Sequence, residues 1–359
     1  MHEGDLWPAL REHWHAVAIS DDLGEKPVSV RLLDERVALC RLGGQVRAFQ
    51  DLCVHRGTPL SLGWVDGEEL VCAYHGWSYA ADGKCTRIPS VPLGHPIPKR
   101  ACLTRYLAEE RHSLIWVCLS ESPRAPIPDA PELGEPGYHV FFKQKHYWKC
   151  TAARAIENFV DLGHFPWVHE GILGERDRPL TPDMKVERDG ESLRFGYQNI
   201  SDGLHGAAHK RLYRLTRPFT IYQWKVEGEG RAEVYLFSVT PHSARDCTRF
   251  LIIARNYDLD APEVVQGPVR AENGEYWLGD GSSAKSVRAG DGLPEYANAL
   301  DTIALQDQPI VENQRPEELP LDLAEEFHLK GPDAVAIAYR RFMAELGVDI
   351  DAREPGRVG

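Results

Sequence analysis

Two short segments of the chain each pair a cysteine with a histidine: Cys53-Val54-His55 and Cys72-Ala73-Tyr74-His75, with sixteen residues between His55 and Cys72. Two thiolates and two imidazoles on two arms can grip a [2Fe–2S] cluster, with both sulfurs on one iron and both nitrogens on the other. Such ligation lifts the potential above that of an all-thiolate cluster, because neutral imidazoles replace anionic thiolates. Gly57, Pro59 and Gly76 supply the turn residues that two converging loops require. The same four donors could hold one tetrahedral zinc ion instead. Zinc sites, however, usually pair Cys with Cys and His with His along the chain, whereas each arm here is mixed. Trp77 and Tyr79 read as core or cluster-shielding aromatics.

A second constellation runs from Glu157 to His169 (Glu157-Asn158-Phe159-Val160-Asp161-Leu162-Gly163-His164-Phe165-Pro166-Trp167-Val168-His169). On a helix from Ala153 to His164, ended by Pro166, the residues Asn158, Asp161 and His164 share a face, and His169 swings back toward them. His164 and His169 with one carboxylate from elsewhere make the facial triad that holds mononuclear Fe(II) and leaves positions open for O₂ and substrate. Asp307 is the chosen carboxylate, since it lies on a mostly apolar helix where an unpaired acid is costly. Asp301 and Glu312 remain competitors.

The elements that position these residues can be read along the chain. Alternating residues from Pro27 to Leu52 predict a β-meander, and the frequent glycines after it predict a small, loop-rich β domain over residues 1–124. Prolines at 123, 126, 128, 131 and 136 predict an extended connector over 125–137. From 138 to 359 the expectation is an α+β catalytic domain. Strands at Ser192–Ile200, Phe219–Glu227, Ala232–Thr240 and Arg249–Tyr257 form an antiparallel sheet, flanked by helices at Tyr296–Gln314 and Pro332–Leu346 in a helix-grip-like arrangement. The Asp258–Leu293 span reads as a long loop, either an insertion or a lid.

These motifs resemble the Rieske non-haem iron oxygenases over nearly the whole chain. The pattern is Cys53-x-His55 with Cys72-x-x-His75, then Asn158-x-x-Asp161-x-x-His164-x-x-x-x-His169, then Asp307. Within that family the chain looks most like the saxitoxin-pathway hydroxylases, caffeine N-demethylases and dicamba O-demethylase, and the stretches His164–Gly174 and Ala338–Gly347 look especially like the saxitoxin-pathway branch. Ala73 stands where many relatives have Pro, Gln306 where they often have an acid, and the Asp258–Leu293 span reads as longer than theirs. The resemblance implies a terminal oxygenase with a Rieske [2Fe–2S] cluster and a mononuclear Fe(II). It also implies a head-to-tail homotrimer in which one subunit's cluster serves the next subunit's iron, with Asp161 bridging the partner subunit's His75 to His164.

With no dinucleotide fingerprint or flavin module in the sequence, electrons from NAD(P)H must arrive through a separate ferredoxin or flavin reductase. Lys84, Arg87, Lys99, Arg100, Arg105 and Arg111, against Glu109 and Glu110, form a basic stretch that either docks an acidic ferredoxin or is an ordinary solvated face. The net charge of −13 disfavours nucleic acid and anionic membranes, and hints weakly at a cationic ligand. The balance of 43% hydrophobic and 26% charged residues fits a globular chain. Eight scattered cysteines argue against a disulfide framework, and an acidic N-terminus without a long apolar run makes the cytoplasm the expected compartment. Hydroxylation of a small ring or alkaloid-like substrate is the leading activity, with oxidative N- or O-demethylation as the alternative on the same metals. A zinc-stabilised, non-catalytic binding protein is the rival of another class.

Overall fold

The computed structural model describes all residues except 201–208, 261–262, 266–268, 271–274, 279–284, 289–292 and 354–359. It divides into two compact units. One comprises Leu10–Ile127 with Thr240–Ser243, the other Met1–Ala9, Pro128–Val239 and Ala244–Gly359. The first nine residues, expected from sequence to begin the β domain, thus belong to the second unit. There Leu6 is fully buried, and the Met1 and Leu6 side chains lie against Gly347.

In the first unit, a six-stranded sheet has the order β1-β10-β9-β4-β3-β2 (β1, His15–Ile19; β2, Val28–Leu32; β3, Glu35–Leu42; β4, Gln45–Gln50; β9, Arg105–Arg111; β10, Leu114–Cys118). β2 to β4 are the expected meander, joined by two-residue turns at Leu33-Asp34 and Gly43-Gly44, all four residues at positive φ. That backbone twist matches the twist of the strands it joins. A second sheet of four short strands (β5, Trp64–Asp66; β6, Glu69–Val71; β7, Ser78–Tyr79; β8, Cys85–Arg87) carries the second Cys/His arm between β6 and β7. Cys53 and Cys72 are buried in one cluster with Phe49, Leu60, Leu70 and Tyr79, so the thiol side of both arms is anchored in the core.

In the second unit, an eight-stranded sheet has the order β12-β13-β14-β15-β16-β17-β11-β18. Its strands are β11 (His139–Trp148), β12 (Glu187–Asp189), β13 (Ser192–Ile200), β14 (His209–Thr216), β15 (Thr220–Val226), β16 (Ala232–Ser243), β17 (Asp246–Arg255) and β18 (Val264–Val265). The sheet is antiparallel apart from the β11–β18 edge pair. Four of these strands match the sequence expectation closely; β11 and β14 were not expected. Both are rich in Lys, Arg and His, and Lys143, Gln144 and Arg211 among them are nonetheless buried, so polarity masked the strand pattern. The helices Leu293–Val311 and Ala334–Arg353 appear where expected. The Asp258–Leu293 span is not a plain loop: among its described residues, Val269–Arg270, Glu275–Leu278 and Lys285–Arg288 form a three-stranded antiparallel sheet. No helix among the described residues is long and apolar enough to cross a membrane.

The helix that carries the second constellation is shorter than the sequence suggests, running Ala152–Val160. Asp161 ends it in an extended conformation, its backbone N–H bonding back to the Glu157 carbonyl at 3.0 Å and its Oδ1 accepting from Gly163 N at 2.8 Å. That side-chain acceptance offers the backbone a turn in place of another helical residue. Pro166 is not the breaker. It sits in the first turn of a separate short helix, Phe165–Val168, where its missing N–H costs nothing.

Candidate metal centres

The two cysteine–histidine arms share one backbone design. Gly57 N–H bonds to the Cys53 carbonyl at 2.9 Å and Cys53 N–H to Thr58 O at 2.8 Å; Gly76 N–H bonds to the Cys72 carbonyl at 3.0 Å and Cys72 N–H to Trp77 O at 2.9 Å. The closing glycines have φ of 72° and 67°, the left-handed conformation that a Cβ would strain. Each arm is therefore a tight turn that holds its cysteine inward and frees its histidine. Cys53 and Cys72 are buried, whereas His75 is exposed and His55 half-buried, with the two rings 4.5 Å apart. Trp77 stacks on His55 at 4.5 Å, and the Tyr79 hydroxyl lies 3.1 Å from Cys53 Sγ. Both aromatics shield the site, as the sequence reading has it. Burial raises the Cys72 thiol pKa, reinforced by the neighbouring Cys53, and a bound ferric cluster would supply the positive charge that favours the thiolate there.

One observation fits a metal at this site, and a second favours a cluster over a single ion. The Nδ1 of His55 is enclosed without a hydrogen-bond partner, which suits a nitrogen aimed at a metal. Around one zinc ion, donors would stand roughly 3.3–3.8 Å apart. Among the described residues, however, the one group of three or more donors within 4.8 Å of one another is a different one, His164, His169 and Asp307.

That second group forms where the end of helix Ala152–Val160, the short helix after it and the long helix Leu293–Val311 converge. Asp307 Oδ1 lies 3.0 Å from His169 Nε2 and 3.4 Å from His164 Nε2. His169 is 0% exposed and Asp307 6%. Nε2 of His169 and Oδ1 of Asp307 are buried, face each other and make no well-formed hydrogen bond, the arrangement expected of atoms that share a cation. The outer nitrogens are held: His164 Nδ1 meets Asp161 Oδ2 at 3.0 Å, and His169 Nδ1 meets Gln306 Oε1 at 2.8 Å. Such partners fix the tautomer and aim the other nitrogen inward. Burial opposes charge on both sides of the His164–Asp307 pair, but their attraction outweighs it. His164, with Asp161 on its other flank, is raised to about 9, and Asp307 is held well below the usual carboxylate range by His164 and His169.

Of the three acids left open by the sequence, Asp307 alone joins the imidazoles. Asp301 Oδ1 instead accepts from Gln144 at 2.6 Å and lies 3.0 Å from His146 Nε2, while Glu312 accepts from Lys149 N and from Gln308. Asn158 lines the cavity beside the triad. The Asp161 side chain is 42% exposed in the single chain, leaving a carboxylate edge accessible. Sequence reasoning overlooked Gln306, treating it only as a charge difference; its place next to Asp307 on a helix that must face His169 was the available signal. The six basic residues of the 83–111 stretch are all exposed, with Lys84 already paired to Asp82 at 2.6 Å.

Residues 13–98 match the Rieske [2Fe-2S] domain, and residues 148–282 the vanillate O-demethylase oxygenase C-terminal domain. The chain is 29% identical over 348 residues to the methylxanthine N1-demethylase NdmA of Pseudomonas putida, covering 94% of this chain and 89% of that protein. It is 27% identical to the N3-demethylase NdmB of the same organism, covering 97% and 93%. The solved structure of Pseudomonas putida NdmA with caffeine superposes with a TM-score of 0.81 at 28% identity, covering 97% of this chain and 94% of that one. The chain belongs to the Rieske non-haem iron oxygenases and is the terminal oxygenase component of such a system. It is accordingly an oxidoreductase with a Rieske [2Fe–2S] cluster and a mononuclear iron, fed with electrons by a reductase or ferredoxin.

Proposed function

We propose that this oxygenase hydroxylates a C–H bond of a small, ring-containing substrate, and that where the bond belongs to an N- or O-methyl group the product breaks down to formaldehyde and the demethylated compound. The observation that carries the reading is the buried convergence of His164, His169 and Asp307 beside a largely apolar cavity. The demethylase outcome is favoured by the likeness to methylxanthine demethylases.

When bound, the two iron centres supply one-electron transfer and O₂ activation. Cys53, His55, Cys72 and His75 are the proposed cluster ligands, and His164, His169 and Asp307 the proposed ligands of the mononuclear iron. Gln306 Oε1 accepts a hydrogen bond from Nδ1–H of His169, and Asp161 Oδ2 one from Nδ1–H of His164, so each ring would present its other nitrogen to the metal. The accessible edge of Asp161 suits a hydrogen bond from the partner subunit's His75 within a homotrimer, giving the carboxylate a role as bridge between the two centres. Asn158 borders the cavity on the side of the same helix end. The exposed basic stretch Lys84–Arg111 suits an acidic ferredoxin, whose docking would weaken with rising salt. The cytoplasm is the proposed compartment.

Protein purified without air should contain iron and acid-labile sulfide with little zinc, and should release formaldehyde from an N- or O-methylated ring compound when given O₂, reductase and NAD(P)H. Asp307→Ala should lose the mononuclear iron and keep the cluster's visible spectrum. Unchanged iron content would transfer the ligand role to another acid, and stoichiometric zinc without sulfide would overturn the reading.

A further inference from the structure

Two cavities border the His164/His169/Asp307 group. The one on the Asp161 side is walled by Arg154, Glu157, Glu326 and Arg340, which are committed to one another in ion pairs. The other opens over the sheet, with Phe159, Phe165, Leu300 and Ile303 as its apolar lining. Its geometry is that of a substrate chamber: mostly hydrophobic, with a few fixed polar groups.

Two of those polar groups stand out because each keeps a buried donor atom without a hydrogen-bond partner, Nε of Arg249 and Nε2 of Gln223. Arg249, on β17, is 5% exposed. Its guanidinium lies over the rings of Trp148 and Phe237, 4.5 Å and 5.0 Å from their centroids, so the cation is held in place. Ring faces do not accept its in-plane N–H groups, however; Nε is enclosed without a partner, and among the described residues no carboxylate forms an ion pair with it. Burial lowers its pKa, while the nearby Asp307 works in the opposite direction. On β15, Gln223 is 3% exposed, and its Nε2 has no hydrogen-bond partner. Cross-strand register sets Gln223 between Tyr213 and Tyr235, and all three line the same cavity as Arg249. The next row on that face is committed: Lys225 pairs with Glu227 at 2.7 Å and Glu233 at 3.4 Å, and Tyr235 donates to Glu233 at 2.6 Å. A folded chain leaves buried donors idle at a cost of about 1–3 kcal/mol or more each, unless a ligand completes them.

We propose that the substrate is a flat, largely apolar molecule bearing an anionic oxygen group, a carboxylate or sulfonate, which Arg249 and Gln223 receive by donating hydrogen bonds while the ring lies against the aromatic lining. This deepens the oxygenase reading and rests on it for the cavity's being the substrate's place. It also reverses the weak hint of a cationic ligand taken from the net charge, because the charge that matters is the local one, and it is positive.

The test is calorimetric titration of the anaerobic, iron-loaded protein with benzoate, neutral benzamide and cationic benzylamine, on wild type, Arg249→Met and Gln223→Leu. Wild type should prefer benzoate to benzamide by about tenfold or more, the scale of a charged hydrogen bond. Arg249→Met should abolish that preference while leaving benzamide binding within about threefold of wild type, and Gln223→Leu, which keeps the cation, should weaken benzoate by a smaller factor. Equal affinities for benzoate and benzamide in wild type, tighter benzylamine, no measurable benzoate binding, or a preference retained in Arg249→Met would each overturn the proposal. Iron and sulfide content of the same samples separates this failure from failure of the oxygenase reading, and Gln223→Leu keeps the question open to measurement if Arg249→Met does not fold.

Discussion

Arg340 ties the C-terminal helix to the helix that leads into the mononuclear site, and its removal should be felt in both stability and metal binding. Its guanidinium, 1% exposed, donates to Glu157 Oε1 at 2.5 Å, Glu157 Oε2 at 2.7 Å, Glu326 Oε2 at 2.5 Å and the Pro320 carbonyl at 3.1 Å. Glu326 would keep a second partner, Arg154, at 2.7 Å. Glu157, with a side chain 15% exposed, has no such alternative among the ion pairs of the described residues. Arg340→Met preserves length and apolar contact, so the loss is dominated by a carboxylate left buried and uncompensated, worth about 3–5 kcal/mol. For a unit of this size that corresponds to a fall in Tm of roughly 6–20 °C. Because the Glu157 carbonyl also receives Asp161 N–H at 3.0 Å, iron content at the His164/His169/Asp307 site should fall as well. Differential scanning calorimetry reads the first effect, metal analysis the second, and the visible spectrum of the cluster, in the other unit, is the internal control. The double variant Glu157→Gln/Arg340→Met removes the stranded charge and should recover a large part of the loss. A single-variant loss below about 1 kcal/mol, or a double variant no more stable than the single, would refute the argument from buried charge.

Asp161→Asn should retain both metals, because Asp161 meets His164 at its outer nitrogen and not at the one facing Asp307, yet slow turnover severely; near-normal substrate oxidation would remove the bridging role. Glu3 is fully buried and accepts from Ala153 N at 2.9 Å at the start of the helix Ala152–Val160. Burial, against the lowering effect of that hydrogen bond, raises its pKa to about 7. The folded protein therefore holds a proton that the unfolded chain releases near 4.5, so this contribution is full below about pH 4.5 and is lost as pH rises through 7. Glu3→Gln should gain about 3 kcal/mol relative to wild type between pH 4 and pH 8, measured by urea unfolding across that range; a pH-independent difference would place the ionisation elsewhere.

Much of this protein is legible in its sequence because the chemistry demands residue types in short local patterns. Cys53, His55, Cys72 and His75 lie on two turns, each closed by a glycine, and the turn is encoded by its own few residues. His164 and His169 are likewise local, and strands such as Ser192–Ile200 announce themselves through alternating apolar side chains. Local misreadings arose where a side chain competed with the backbone, as when Asp161 ended a helix that its neighbours' propensities would have continued. Strands β11 and β14 escaped notice because Lys143, His209 and Arg211 are buried within them, so polar residues occupy positions where the strand pattern calls for apolar ones.

What required tertiary structure is everything that depends on which distant residues meet. Asp307, Asp301 and Glu312 are equivalent along the chain, and only helix packing brings the first to the two imidazoles while the others find Gln144, His146 and Lys149. The same holds for Gln306, which turns from a charge difference into the hydrogen-bond acceptor of His169, and for Arg249 and Gln223, unremarkable in sequence until strand register aims them into one cavity. The two Cys/His arms and the His164/His169 pair are marked by side-chain type and near spacing, so the sequence alone picks them out as candidate ligands. Whether a buried polar group is satisfied is a property of three-dimensional neighbours, so only the folded chain decides which donors are left for a substrate.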